Sequence, residues 1–108
     1  MDIALLLKAL GEPTRFSIFQ QLLLRKHCVR SLSKKFGISE SAVSQHMKVL
    51  KEAGLVYGER YGYHIHYLPD QKALDALCAA FGQMRTQSVL LCRDPDICNC
   101  EFREAGNK

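Results

Sequence analysis

The sequence predicts a mainly α-helical fold with one two-stranded hairpin. Three observations carry this reading. Apolar residues recur at helical spacing in five segments, capping residues or glycines stand at the segment ends, and two alternating stretches flank Tyr61-Gly62-Tyr63.

The elements follow in order. Ile3, Leu6, Leu7 and Leu10 mark a first helix, ended by Gly11. Pro13 suits the first position of a second helix, which continues to Leu24 with Phe16, Phe19, Leu22 and Leu23 on one face. Arg25-Lys26-His27-Cys28 reads as a polar break, with His27 at the surface. Val29, Leu32 and Phe36 make a short third helix, stopped by Gly37. Ser39 caps a fourth, which carries Ala42, Val43, Met47, Val49 and Leu50 and ends at Gly54. Strands over 55–60 and 64–68 enclose the turn. Pro69-Asp70 opens a last helix whose apolar face reads Leu74, Leu77, Cys78, Phe81 and Met84 and continues to Leu91. Composition changes at Cys92, which divides the chain into a domain over 1–92 and a cysteine-containing tail over 93–108.

The composition fits one packed domain. The 108 residues are 47% hydrophobic and 24% charged, which excludes a disordered polar chain. A domain of this size buries only about 60–70% of its unfolded surface, so self-association would help it. Five cysteines do not close into disulfides. The opening apolar run is short and Asp2 stands where a leader carries basic residues, so a cytoplasmic chain with reduced thiols is expected. No stretch approaches the roughly 18 apolar residues of a membrane span.

Two short helices joined through Gly37-Ile38-Ser39 and followed by a hairpin give the layout of a winged helix-turn-helix. Val43, Met47 and Leu50 face the core, which leaves Ser39, Ser41, Ser44, Gln45, His46 and Lys48 for the major groove. Gln pairs bidentately with adenine, and Ser meets bases or phosphates. Arg60, Tyr63 and His64 on the wing are the further candidates for contact with double-stranded DNA. Residues 25–60 hold eight Lys or Arg against three acids, so the net +5 lies where phosphates would be met. His64 and His66 alternate on a strand and share a face.

Leu7-Lys8-Ala9-Leu10-Gly11-Glu12-Pro13-Thr14-Arg15-Phe16 resembles the opening of the ArsR/SmtB family of bacterial metal-sensing repressors. So does Ser41-Ala42-Val43-Ser44-Gln45-His46-Met47-Lys48-Val49-Leu50-Lys51-Glu52-Ala53-Gly54-Leu55-Val56. The resemblance covers about residues 3–85. It implies a homodimeric repressor that binds operator DNA and lets go when an inducer binds. It also implies Ser41, Ser44, Gln45 and His46 as base readers and residues 60–64 as the wing contact. The family dimer is held by first and last helices, which here carry Ile3, Leu6, Leu7 and Leu10, and Leu74, Leu77, Cys78, Phe81 and Met84.

Family members differ in where the inducer binds. One site uses a Cys-Val-Cys motif at the start of the scaffold helix. Here it reads Cys28-Val29-Arg30, so its second thiol is missing. Another uses Asp and His pairs on the last helix. Asp75 is present, but no His follows His66. What remains is Cys92, Cys98 and Cys100. Three thiolates suit arsenite or antimonite, and four, with Cys28 joining, suit tetrahedral zinc or cadmium. Cys78, on the apolar stripe, reads as a core thiol. No organic cofactor is expected.

Two alternatives stand beside this. Cys28 begins a helix beside Lys26, His27 and Arg30, which would favour its thiolate, and it could bridge to a tail cysteine in a redox or polysulfide response. A winged-helix protein-interaction module is the other, but it would need an apolar rather than a serine- and glutamine-bearing face. No phosphate loop, His-Glu metal motif or nucleophile paired with a base points to an enzyme.

Overall fold

The computed structural model describes the backbone of residues 1–93 and the side chains of residues 1–87. Its elements are α1 (Ile3–Leu10), α2 (Pro13–Leu24), α3 (Val29–Phe36), α4 (Glu40–Ala53), β1 (Val56–Tyr61), β2 (His64–Pro69) and α5 (Gln71–Arg93). The chain divides within α5 into the units Met1–Leu77 and Cys78–Lys108. The first unit holds the four leading helices, the hairpin and the start of α5. In the second, residues 78–93 continue α5. The division expected after Cys92 lies where the described residues run out.

Local chemistry sets the helix ends. Asp2 accepts the Leu5 N–H at 3.2 Å, Ser39 Oγ accepts the Ala42 N–H at 3.0 Å, and Asp70 accepts the Lys72 N–H at 2.9 Å. Glu12 caps α2 with both carboxylate oxygens, and Pro13 follows at the first position. Gly37 ends α3 with φ 66°, a left-handed conformation that spares glycine the Cβ clash and turns the chain sharply into α4.

These helices bury one apolar cluster. Leu6 and Ala9 of α1 meet Ile18, Phe19 and Leu22 of α2, Leu32 of α3, and Val43, Met47, Leu50 and Ala53 of α4. Leu55, Val56, Ala73 and Leu77 complete it. Each fully buried large side chain contributes about 1.5–3 kcal/mol relative to exposure.

Several expectations are corrected. On α2 the buried face is Ile18, Phe19 and Leu22, whereas Phe16 and Leu23 are exposed. Apolar residues ring this helix on nearly every side, so spacing alone does not select its inner face. Leu6 and Leu77 were expected on the dimer stripes, but the chain's own core encloses them. On α1, Leu5 is exposed beside Leu7, at 45% and 39%. Cys78 is exposed rather than a core thiol, because the inward turn of α5 is taken by Ala73 and Leu77.

The wing is an antiparallel pair, in register from Val56 opposite Pro69 to Tyr61 opposite His64. The turn is tighter than expected. Tyr61 stays in β1 and only Gly62 and Tyr63 make the bend, because Gly62 takes φ 63° at the first turn position. Pro69 ends β2 instead of opening α5, and Asp70 caps the helix. The 25–28 segment is more than a break. His27 exchanges two backbone hydrogen bonds with Tyr67, at 3.4 and 2.8 Å, and so pairs the α2–α3 connection with β2.

Candidate nucleic-acid interface

α4 presents two faces. Val43, Met47, Leu50 and Ala53 are buried, and Ser41, Ser44, Gln45 and Lys48 are exposed along the opposite side. The 3.6-residue period sorts them this way. The outer face is polar and, apart from Glu40 and Glu52 near its ends, free of acids, so it can offer amide and hydroxyl groups to base edges and an ammonium to a phosphate. Ser39 lies at the start of this face with its hydroxyl committed to the helix cap.

His46 departs from this set. Its side chain is only 21% exposed and points toward the first turn of α2. Nδ1 lies 3.7 Å from Glu12 Oε2 and 3.5 Å from Arg15 Nη1. Its side chain is therefore less freely presented than those of Ser41, Ser44, Gln45 and Lys48. The reason is rotational: at about 100° per residue His46 falls on the inner side of the helix, between Ala53 and Leu50 and away from Ser41, Ser44, Gln45 and Lys48.

The wing places Arg60, Tyr63 and His64 in solvent, with Tyr63 fully exposed at its tip. Among the described residues its phenol ring has no hydrogen-bond partner. Its base is braced: the Lys26 ammonium sits 4.0 Å over the Tyr61 ring, and that ring lies 4.9 Å from His66. His64 and His66 do share a face, together with Glu59 and Tyr61. Arg60, paired with Ile65, points to the other.

An open cleft of about 410 Å³ separates the wing from the starts of α3 and α4. Cys28, Arg30, Glu40, Tyr63, His64 and Tyr67 are among its lining residues. Cys28 caps α3, and the Ser31 N–H donates to its sulfur at 3.5 Å. Partial burial pushes this thiol up, but the Ser31 and Arg30 donors outweigh it and hold the pKa below the usual thiol range. The stabilisation therefore comes from helix-start donors and not from the cationic side chains expected. Lys26 is engaged with Tyr61. His27 is buried, between Gln21 Nε2 and Ser31 Oγ at 2.9 Å each. Desolvation, with the charges of Arg25 and Lys35 nearby, holds its pKa below the ordinary histidine range.

Among the described residues no three His, Cys, Asp or Glu side chains converge on a metal position. Cys98 and Cys100 lie outside the described residues, and so does the side chain of Cys92. Among the described residues no helix is long and apolar enough to cross a membrane.

The chain is similar to known proteins over this same region. A family model described as bacterial regulatory protein, arsR family, matches residues 12–57. The HTH-type transcriptional repressor SmtB of Mycobacterium tuberculosis is 44% identical over 62 residues, which are 57% of this chain and 46% of that protein. The chain thus spans about half the length of this relative. The biofilm growth-associated repressor of Agrobacterium fabrum is 36% identical over 84 residues, 74% of this chain and 72% of that one. A solved structure described as a possible transcriptional regulator for arsenical resistance superposes with a TM-score of 0.65 at 38% identity, covering 72% of this chain and 81% of the other. The chain belongs to the ArsR/SmtB family of bacterial regulatory proteins.

Proposed function

We propose that the chain is a transcriptional repressor that binds operator DNA as a homodimer and leaves it when a thiophilic ion binds cysteine thiolates. The observation that carries the DNA-binding part is the exposed row Ser41, Ser44, Gln45 and Lys48 on α4, opposite a fully apolar inner face. α4 enters the major groove, the first two serines and Gln45 meet base edges, and Arg60, Tyr63 and His64 meet the flanking backbone or minor groove.

The dimer reading rests on apolar surface the chain leaves uncovered. Leu5 and Leu7 on α1, and Phe81 and Met84 on α5 at 51% and 52% exposed, are the residues to be covered by a second copy. Ile3, Leu10 and Leu74 are half-buried against the core of the first unit, and Cys78 is exposed in the second. A two-fold dimer reads a roughly palindromic site with half-sites about 34–36 Å apart or a multiple of it.

For the inducer, the described residues hold two thiols, Cys28 with a lowered pKa and the exposed Cys78, and no group of three ligand side chains. A complete site therefore needs the tail thiols Cys92, Cys98 and Cys100. Arsenite or antimonite suits three of them, and cadmium or zinc suits four. The lowered pKa of Cys28, in a cleft beside the wing, favours a second reading in which its thiolate forms a regulatory disulfide or polysulfide bridge.

The test uses reduced protein on a fluorescent duplex selected by the wild type from a random pool. The wild type is expected to leave the duplex when arsenite, antimonite, cadmium or zinc is added, with thiolate-to-metal absorption in the ultraviolet. Cys98→Ser with Cys100→Ser is expected to bind the duplex as the wild type does and to stay bound. A double variant that still responds to the ions excludes the tail as the sensor. Release by mild oxidant without metal, with a Cys28-to-tail bridge found by mass spectrometry, supports the second reading instead.

A further inference from the structure

The segment Gly11-Glu12-Pro13-Thr14-Arg15 joins α1 to α2, far in sequence from the DNA-facing helix, yet its two charged side chains meet that helix. Glu12 Oε1 accepts the Thr14 N–H at 3.1 Å and Oε2 accepts the Arg15 N–H at 2.7 Å. Oε2 also faces His46 Nδ1. Arg15 donates from Nε to the carbonyl of Ala9, in the last turn of α1, and from its far end faces the same imidazole nitrogen. The start of α2 and the middle of α4 thus meet at one ring atom, and Arg15 links that contact on to α1.

We propose that Glu12, Arg15 and His46 form a clasp that sets the roll of α4 on the domain, so that His46 acts on DNA binding as a positioning residue and not by touching a base. This rests on the DNA-binding reading above.

The argument is one of directionality. Val43, Met47, Leu50 and Ala53 hold α4 by apolar contact, which fixes how deeply a helix sits but is not directional. A polar tie at the edge of the helix fixes its rotation. His46 is the neighbour of Gln45 and lies two positions from Ser44 and Lys48, so a small roll about the axis moves all three outer side chains. The imidazole nitrogen lies 3.5 Å from Arg15 Nη1, which can donate to it, and 3.7 Å from the Glu12 carboxylate, an ion-pair and not a hydrogen-bond distance. Arg15 carries the link on to Ala9, and thus to the helix whose Leu5 and Leu7 await a partner. The clasp therefore connects the proposed dimer helix to the reading helix through a few polar contacts.

The experiment is a double-mutant cycle on the full chain: Glu12→Gln, His46→Leu, both together, and His46→Asn as the conservative variant. Asn keeps a donor and an acceptor near the Nδ1 position, and Gln at position 12 keeps an oxygen for the helix cap. Affinity for the selected duplex is read at fixed salt and well below each Tm, which is measured in parallel. Glu12→Gln and His46→Leu are each expected to bind roughly fivefold more weakly, the double variant no worse than the weaker of the two, and His46→Asn within about twofold of wild type. The loss is expected to be uniform across single-base changes in the duplex. Single effects that multiply in the double variant overturn the clasp. A loss confined to one base pair overturns it too, by making His46 a base reader. A loss that vanishes once the folded fraction is corrected for leaves only a structural role and overturns it. A wild type that selects no duplex overturns the DNA-binding reading and the clasp with it, whereas a binding wild type with uncoupled variants overturns the clasp alone.

Discussion

Leu50→Ala is expected to destabilise the domain by about 2–5 kcal/mol, the cost of deleting a buried leucine and leaving a cavity. Leu50 is completely buried, and its carbonyl accepts the Leu55 N–H at 3.0 Å where α4 hands over to β1. The side chain is packed in the core that Leu55 and Val56 share at the base of the wing. Against a total stability of about 5–15 kcal/mol, this is a large fraction. Urea melts should show a lower midpoint with an unchanged slope. Val49→Ala, one residue away and 38% exposed, should stay within about 0.5 kcal/mol of wild type. Equal losses at the two positions would contradict the assigned inner face of α4.

Gln45→Ala should have the opposite signature. The side chain is exposed, so the melting midpoint should not move. Binding to the selected duplex should weaken by about 1–3 kcal/mol, or roughly 5- to 150-fold, because a bidentate amide contact to a base is lost. The loss should be concentrated at one base pair of each half-site, with the variant tolerating substitutions there that the wild type rejects. A small, sequence-independent loss would place Gln45 on the backbone instead.

Much of this molecule was legible in its sequence because the signals are local. Ser39, Gly37, Gly54 and Pro13 each act on the next few residues, and the period of Val43, Met47 and Leu50 shows which side of α4 faces the core. The wing needed only two alternating runs and a glycine between them. What was not legible depends on distant partners. The inner faces of α1 and α2 were ambiguous because leucines and phenylalanines occupy several sides of both helices, and only packing against α4 decides between Leu5 and Leu6 or between Phe16 and Ile18. His27 looked like part of a charged surface run until its backbone paired with Tyr67, 40 positions on. His46 fitted a polar face by composition, and no local pattern reports that Glu12 and Arg15 lie beside it. The Glu-Pro-Thr-Arg segment was visible as a family motif, but its contact with α4 needed the fold.

The division of cysteines follows the same line. Cys28 was placed at a helix start by sequence, and its thiolate is favoured there, but by backbone donors whose direction only the fold supplies. Cys78 sat on an apolar stripe that the fold divides: Leu77 is buried in the core, while Cys78, Phe81 and Met84 are exposed.

The most direct test of the central claim is the affinity of the reduced chain for its selected duplex as salt is raised. If α4 and the wing lie on DNA with the net positive charge of residues 25–60 against phosphates, a dimer neutralising about 6–10 phosphates should lose roughly 10³–10⁵ in affinity between about 50 and 200 mM salt. A flat salt dependence, or no duplex selected at all, would contradict it.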